Sequence, residues 1–327
     1  MTTHRERIQA CIQADVLDHP PVALWRHFPV DDQAPGLLAS ATLQFQQVYD
    51  FDLVKVTPAS SFCLRDWGVE DVWRGNPEGT REYTKRVVSV AQDWESLHLL
   101  SPEMPHLAAQ LECLRLIRSA IPVETPLIQT VFSPLAQAKN LAGGDHLLVH
   151  LRRYPEAVLK GLQVIAETTH RFVEAAMGIG IDGIFYAIQH AQAQLLTWNE
   201  YQVFGLPFDR LVLQSAERGW CNMLHLHGHE VYFETAAQLP IHIVNWHDRE
   251  TPPSLAEARK SFPGGLCGGL RQDTLVLGNA KEVSEEAAQA RQQTGDKGFL
   301  LSTGCVVPVI APLGNIRTAR QSVESRP

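Results

Sequence analysis

Eight short apolar runs along the 327 residues restrict the fold of this chain more than any other feature. Amphipathic stretches with helical periodicity separate them, for example 154–177 and 284–293. Strands that alternate with helices form parallel sheets with crossover helices, and eight such units close into a barrel. The sequence therefore predicts an α/β protein, a (β/α)8 TIM barrel. The predicted strands are 22–25, 53–56, 127–131, 183–186, 222–225, 241–246, 265–269 and 298–301.

One segment, 66–94, interrupts this alternation. Residues 68–75 and 82–88 have the pattern of two strands, and the turn-rich stretch 76–79 connects them. The pattern predicts a β-hairpin inserted after strand two, over the mouth or rim of the barrel. Since no linker or composition shift marks a boundary, residues 1–327 are predicted to form a single domain.

Composition and charge exclude several classes of protein. A formal net charge of −8 without a basic stripe argues against a nucleic-acid partner. No run approaches the roughly 18 apolar residues of a membrane span, and the first residues lack the apolar core of a secretion signal. The six cysteines are scattered, which is typical of reduced thiols rather than of disulfides. We therefore expect a cytoplasmic protein that binds neither nucleic acid nor a membrane.

A candidate metal site follows two of the predicted strands. His225 and His227 are two residues apart on strand five, so their side chains leave the same face. Cys305 follows strand eight, and strand ends on one rim of a barrel can converge over its mouth. Two imidazoles and one thiolate would hold zinc with one position open, as in catalytic sites. The competing interpretation is two histidines that bond to backbone or carboxylate groups, and a cysteine that packs in the core.

Further polar residues follow other strands at the same end of the predicted barrel. Arg26 can bind a carboxylate or phosphate through two parallel hydrogen bonds. The paired glycines Gly268 and Gly269 would let a cofactor approach the backbone of strand seven. Taken singly, each is explained as well by a solvated loop or a packing glycine, but their combination favours a site. The candidates for substrate binding are Arg26, His27, Gln189, His190, Trp246 and His247.

These residues give the chain its resemblance to the uroporphyrinogen decarboxylase superfamily. That superfamily includes the decarboxylases and the zinc-dependent methylcobamide:coenzyme M methyltransferases. The resemblance covers essentially the whole chain, and it implies a TIM barrel. Because decarboxylases of this family are often dimers, it also makes a homodimer an expectation. The matching elements are His225–Gly228, 245–247, 268–270, 304–308 and 312–316.

The departures from the decarboxylases distinguish the branches of this superfamily. Decarboxylases carry an arginine-rich segment after strand one, which grips the carboxylate arms of the tetrapyrrole, whereas the matching stretch 24–29 contains only Arg26. Cys305 stands where decarboxylases place a histidine, and their tyrosine after the third strand is replaced near Asn140. Asp52 is the candidate match for their essential aspartate. These differences favour the methyltransferase branch.

The methyltransferases hold zinc through a His-x-Cys pair and a later cysteine. The resemblance therefore implies that His225, His227 and Cys305 are the metal ligands and the catalytic residues here. It also implies a zinc-dependent methyltransferase that moves a methyl group between a corrinoid and a thiol. The expected partners are a small-molecule thiol or methylated substrate and a corrinoid, free or on a second protein. The alternatives are a metal-free uroporphyrinogen decarboxylase of porphyrin biosynthesis and a non-catalytic corrinoid- or porphyrinoid-binding protein.

Overall fold

A curled sheet of parallel strands forms the centre of the protein. The structure, a computed structural model, describes residues 2–324. Within them the central sheet has seven strands, and every neighbouring pair is parallel. The long central strands are buried on both faces, as parallel sheets covered by helices require. The strands in chain order are β1 (Val54–Val56), β2 (Glu70–Val72), β3 (Glu82–Lys85), β4 (Leu127–Phe132), β5 (Gly183–Ile188), β6 (Met223–Leu226), β7 (Ile243–Trp246), β8 (Gly265–Leu270) and β9 (Phe299–Thr303).

The segment 22–25, predicted as strand one, makes a single parallel bridge between Val22 and Leu301 of β9. Its hydrogen bonds nevertheless reach both edges of the sheet. Ala23 N donates to Leu301 O at 3.1 Å, and Asp52 N, just before β1, donates to Val22 O at 2.9 Å. The Asp52 carboxylate also accepts from Val22 N at 2.9 Å, in the place of a strand partner. The sheet order β1-β4-β5-β6-β7-β8-β9 and this connection are consistent with the predicted barrel.

Helices surround the sheet, and several begin with recognisable capping sequences. Thr197 and Glu200 form a capping box, as do Ser254 and Glu257. Among residues 2–324, no helix is long and apolar enough to cross a membrane. The α-helices are α1 (His4–Ile12), α2 (Pro35–Tyr49), α3 (Ala91–Ser96), α4 (Pro105–Ala120), α5 (Pro134–Ala142), α6 (Gly144–Arg153), α7 (Pro155–Met177), α8 (Trp198–Phe204), α9 (Leu206–Gln214), α10 (Leu255–Ser261), α11 (Gln272–Leu277), α12 (Ala280–Thr294) and α13 (Leu313–Gln321). Short 3-10 helices cover Asp31–Gln33, Arg65–Trp67 and Phe233–Gln238.

An antiparallel pair, β2 and β3, lies between β1 and β4 in the chain, in the segment that the sequence marks as a hairpin. Arg81, just before β3, connects this pair to the rest of the molecule. Its guanidinium pairs with Asp71 of β2 and donates to Pro29 O at 2.8 Å. Tyr83 of β3 contacts the Ser60 hydroxyl at 3.0 Å, in the loop after β1. These bonds hold β2 and β3 against the end of the sheet where the cavity lies.

Candidate metal centre and adjoining cavity

Four potential metal-binding side chains meet at the carboxyl ends of β6, β7 and β9. They are His225, His227, His247 and Cys305, and their ligand atoms all lie within 4.8 Å of one another. His225 Nε2 is 3.4 Å from His227 Nδ1, which is 3.9 Å from the Cys305 sulfur. The structure thus brings together the three residues that the sequence assigned to a metal. His247, assigned from sequence to substrate binding, joins them as a fourth member of this metal cluster.

Asn245 of β7 fixes the orientation of His225. Its amide Nδ2 donates to Cys267 O and Thr303 O, both at 3.0 Å, so its oxygen is the group that faces His225. That oxygen lies 2.7 Å from His225 Nδ1, which must therefore carry the proton. The Nε2 atom of His225 then holds a lone pair directed at the other members of the cluster. Orientation of a ligand histidine through its second nitrogen is usual in metal sites.

His247 has a similar arrangement. Its Nδ1 atom lies 3.5 Å from a carboxylate oxygen of Glu250. Its Nε2 atom is buried and has no hydrogen-bond partner in the part of the chain that the structure describes. Buried polar atoms almost always have partners, and a metal ion would satisfy this nitrogen. The four donors and their outer partners therefore fit a divalent metal such as zinc.

Burial keeps the cluster in uncharged forms. Burial, followed by the proximity of His227 and His247, lowers the pKa of His225 well below its usual value. Burial lowers the pKa of His227 to about 4, and it raises the pKa of the Cys305 thiol to about 11. The imidazoles are thus neutral at neutral pH, which is the form that binds metal. The thiol has to lose a proton when it becomes a ligand.

A cavity of about 400 Å³ adjoins the metal cluster, within the range of pockets that bind small molecules. His225, His227 and Cys305 form part of its wall. The remaining lining comes from the carboxyl ends of strands, from the β2–β3 segment and from α5. These residues are Trp25, His27, Lys55, Thr57, Ser60, Glu78, Thr80, Arg81, Tyr83, Arg86, Thr130, Phe132, Lys139, Asn140, Phe185, Ala187, Gln189 and Val306.

Lys55 of β1 lines this cavity although it is only 6% exposed. Its ammonium lies 4.2 Å from the ring centroid of Phe185 and 5.3 Å from that of Trp25. It donates one hydrogen bond, to the Thr57 hydroxyl at 3.3 Å. Burial lowers the pKa of Lys55 to about 7. Lys55 was not among the residues predicted for the site, although a lysine inside the apolar run 53–56 was a usable signal.

Two further cations, Arg86 and Lys139, line the cavity. Lys139 of α5 donates to the Gln189 side chain at 2.7 Å, and Arg86 donates to Asn140 O at 2.6 Å. Burial and then the proximity of Arg86 lower the pKa of Lys139. The single arginine after strand one, Arg26, therefore understates the positive charge of the site. The cations come instead from β1, the β2–β3 segment and α5, which sequence spacing does not bring together.

The other residues predicted to bind substrate have different positions. His27 and Gln189 line the cavity, whereas Arg26 does not; its guanidinium lies over the ring of Phe28, 5.6 Å from the centroid. His190 is buried and absent from the lining. Trp246 is also buried, and its indole donates to Pro253 O at 2.9 Å. Of these predicted residues, only His27 and Gln189 reach the cavity, and His247 reaches the metal cluster.

Protein atoms fill the space beside the two glycines predicted to contact a cofactor. A Cβ on Gly268 would lie 2.3 Å from the Asp248 carboxylate. Gly269 has a φ of +103°, and a Cβ there would lie 2.6 Å from Ala290. Close packing of β8 against Asp248 and α12 explains both glycines, and neither lines the cavity.

Of the two remaining residues matched to the decarboxylases, Asn140 lines the cavity and Asp52 does not. The Asp52 carboxylate is buried, and it bonds to Arg7 at 3.0 Å and to His4 at 2.9 Å. Asp52 also accepts from Val22 N, so it joins α1 to the two edges of the sheet. Its contacts therefore indicate a structural role.

Comparison with known proteins agrees with this architecture. The family model for uroporphyrinogen decarboxylase (URO-D) matches residues 3–326. The chain belongs to the uroporphyrinogen decarboxylase family. The resemblance inferred from the sequence motifs is therefore confirmed. A curated relative, the uroporphyrinogen decarboxylase of Trichodesmium erythraeum (strain IMS101), is 23% identical over 234 residues, which cover 68% of this chain and 64% of the relative. The match thus spans less than two thirds of the relative's length.

Solved structures share the fold at low sequence identity. A methyltransferase from Methanosarcina mazei superposes with a TM-score of 0.87 at 17% identity, over 99% of this chain and 100% of that one. A B12-independent methionine synthase from Shewanella sp. W3-18-1, in complex with selenomethionine, has a TM-score of 0.57 at 13% identity, over 95% of each chain. The relatives therefore include a decarboxylase, and the shared fold extends to a methyltransferase and a methionine synthase.

Proposed function

We propose that this protein is a zinc-dependent methyltransferase that moves a methyl group between a corrinoid and the sulfur of a small-molecule thiol. The observation that carries the proposal is the metal cluster, in which the donor atoms of His225, His227, His247 and Cys305 lie within 4.8 Å of one another beside a cavity. Imidazole and thiolate donors together suit zinc better than they suit magnesium or calcium.

Zinc held at this cluster would accept a substrate thiol as a fifth ligand or in place of His247. It would lower the pKa of that thiol, so that the sulfur reacts as a thiolate near neutral pH. The residues of the chain prepare the site for this role. Asn245 presents the Nε2 lone pair of His225, and Glu250 does the same for His247. Cys305 supplies the only thiolate among the four donors. The cavity beside them positions the rest of the substrate and limits its size to that of a small molecule.

The methyl donor in this proposal is a corrinoid, either free or carried by a second protein. The cavity lies at the carboxyl ends of the strands, where TIM-barrel enzymes place their active sites. The thiolate of the substrate would take the methyl group there, and the corrinoid would leave with the electron pair of its broken cobalt–carbon bond. The methyltransferase fold of the Methanosarcina mazei neighbour supports this reaction class.

The test is methyl transfer from methylcobalamin to a panel of small thiols, followed through the absorbance of the corrinoid under anaerobic conditions. We expect transfer that requires zinc and is lost in His225→Ala. The matched control is His106→Ala, which removes a partly exposed histidine that pairs with Asp66 outside the metal cluster. Transfer that persists after removal of zinc, or equally in both variants, would contradict the proposal.

A second candidate is the decarboxylation of an acidic substrate, because Lys55, Arg86 and Lys139 line the cavity. The name of the curated relative also supports it. Such a reaction would not require the metal cluster. An anaerobic assay for loss of carboxyl groups from uroporphyrinogen, run with wild type and His225→Ala, separates the two. Equal turnover by both proteins would favour the decarboxylase, and we expect no turnover by either.

A further inference from the structure

The cavity contains more positive than negative charge. Lys55, Arg86 and Lys139 line it, and within residues 2–324 none of them forms an ion pair with a carboxylate. Arg81 also lines it, but its charge is balanced by Asp71 and Asp32. Glu78 is the one carboxylate residue in the described lining. With Lys55 protonated, the form that an anionic ligand would favour, the cavity apart from the metal cluster has an excess of two positive charges.

The inner part of the cavity has a second, independent feature that indicates a ligand. Trp25 lines the cavity and is 2% exposed, and its indole nitrogen has no hydrogen-bond partner in the described part of the chain. The indole N–H can only donate, so it requires an acceptor. The Lys55 ammonium lies 5.3 Å from the same ring, and it has three protons but only the Thr57 hydroxyl as an acceptor. Two buried donors without sufficient acceptors are costly unless a ligand oxygen meets them.

The other two cations come from different elements of the fold than Lys55. Arg86 and Lys139 both line the cavity, and Arg86 donates to the backbone oxygens of Lys139 and Asn140 at the end of α5. Those carbonyl groups use one nitrogen of the guanidinium, so that other N–H groups are available for a ligand. The Lys139 ammonium has the neutral Gln189 amide as its partner. A guanidinium beside an ammonium suits an oxyanion, since each donates charged hydrogen bonds.

We propose that the cavity binds a small organic acid with two acidic groups. Lys55 and the Trp25 indole N–H would bind one oxyanion, and Arg86 and Lys139 would bind the other. The two negative charges of this ligand match the excess positive charge of the cavity. The inference deepens the proposed function by naming the substrate as a diacid. It rests on that function only for the reacting sulfur, because the charge argument does not involve the metal.

The experiment is calorimetric titration of the protein with linear dicarboxylates from malonate to adipate. Acetate and succinamide serve as the single-acid and uncharged controls. We expect one dicarboxylate to bind at least about tenfold more tightly than acetate, because each charged hydrogen bond contributes enough for roughly a tenfold change. Phosphonoacetate and 3-phosphonopropionate show whether carboxylate or phosphonate is preferred, and either preference supports the diacid. Dicarboxylates that bind no better than acetate or succinamide would overturn the inference.

Variants locate the binding groups. Lys55→Met and Lys139→Met should each weaken binding of the best dicarboxylate about ten- to hundredfold. Lys139→Met tests the second oxyanion position independently, since Lys139 lies on α5 and is less buried than Lys55. The matched control is Lys85→Met, which removes an exposed lysine that pairs with Glu70 and does not line the cavity. Equal loss of binding in the Lys85 and Lys139 variants would contradict the inference.

A carboxylate can also bind a metal directly, so the titration is repeated with His225→Ala. Binding that persists in this variant and depends on Lys139 supports the inference, even if the metal-dependent function fails. Binding that disappears in His225→Ala but survives in Lys139→Met would overturn the diacid inference. The proposed metal centre would not be contradicted by that result.

Discussion

Replacing Asn245 by alanine should weaken metal binding although all four donor residues are kept. Asn245 makes three short buried hydrogen bonds, to His225 at 2.7 Å and to Cys267 O and Thr303 O at 3.0 Å, beside a longer one to the Cys267 sulfur at 3.6 Å. At about 1 kcal/mol each, their loss lowers the free energy of unfolding by about 3 kcal/mol. The loss also frees His225 to rotate or to move its proton to Nε2. Loss of such an outer partner typically weakens metal binding by about 10–100-fold.

The control for this prediction is Asn315→Ala. Asn315 is also buried, and its amide donates to Leu275 O at 3.1 Å and to Gly278 O at 2.8 Å, outside the metal cluster. Both variants should unfold more easily in urea, but only Asn245→Ala should lose zinc to a competing chelator at a lower chelator concentration. Equal zinc affinity in the two variants would refute the role assigned to Asn245.

Two further predictions concern pH. Zinc affinity should rise about tenfold per pH unit between pH 6 and 8, because binding releases one proton from Cys305, whose pKa burial raises to about 11; a chelator titration that shows no pH dependence in wild type would contradict this. Lys55→Met should raise the free energy of unfolding at pH 7 by a few kcal/mol at most, about 1.4 kcal/mol for each unit by which burial lowers the lysine pKa. The folded-state pKa of about 7 lies below the unfolded value, so the lysine costs stability increasingly as pH falls from 10.5 to 7, and the gain in the variant should shrink towards pH 10. Urea unfolding of wild type and Lys55→Met at pH 7 and pH 10 measures this gain in the free energy of unfolding. An equal gain at the two pH values would refute the lowered pKa of Lys55.

The apolar runs were sufficient to locate the strands of the central sheet. Runs 127–131 and 183–186 lie within β4 and β5, because residues buried on both faces leave an uninterrupted apolar signal. The first run was less informative. Its length suggests a strand, but a side chain, the Asp52 carboxylate, supplies the partner for Val22 N. The replacement of a strand partner by a side chain depends on tertiary contacts, and no local sequence pattern reveals them.

The candidate site was predictable only in part, for a similar reason. The spacing of His225 and His227 on one strand marks a shared face, and the motif around Cys305 supplies the third donor. The sequence assigned His247 to substrate binding and not to the metal, because its approach to the cluster depends on the turn after β7, which spacing does not reveal. In that turn Asp248 N bonds back to Trp246 O at 2.9 Å. The cations Arg86 and Lys139 are separated by 53 positions in the sequence, and only the packing of the β2–β3 segment on α5 brings them together.

The most direct test of the metal centre is the zinc content of purified wild type and Cys305→Ser, measured by mass spectrometry of the metal after equilibration with zinc and desalting. Serine keeps the size of the side chain but is a poor zinc ligand. Cys63→Ser is the control, because Cys63 is also a free cysteine, is buried and lies outside the cluster. We predict about one zinc per chain in wild type and in Cys63→Ser, and a large loss in Cys305→Ser. Equal zinc content in all three proteins, or none in wild type, would contradict the assignment of this cluster as a zinc site.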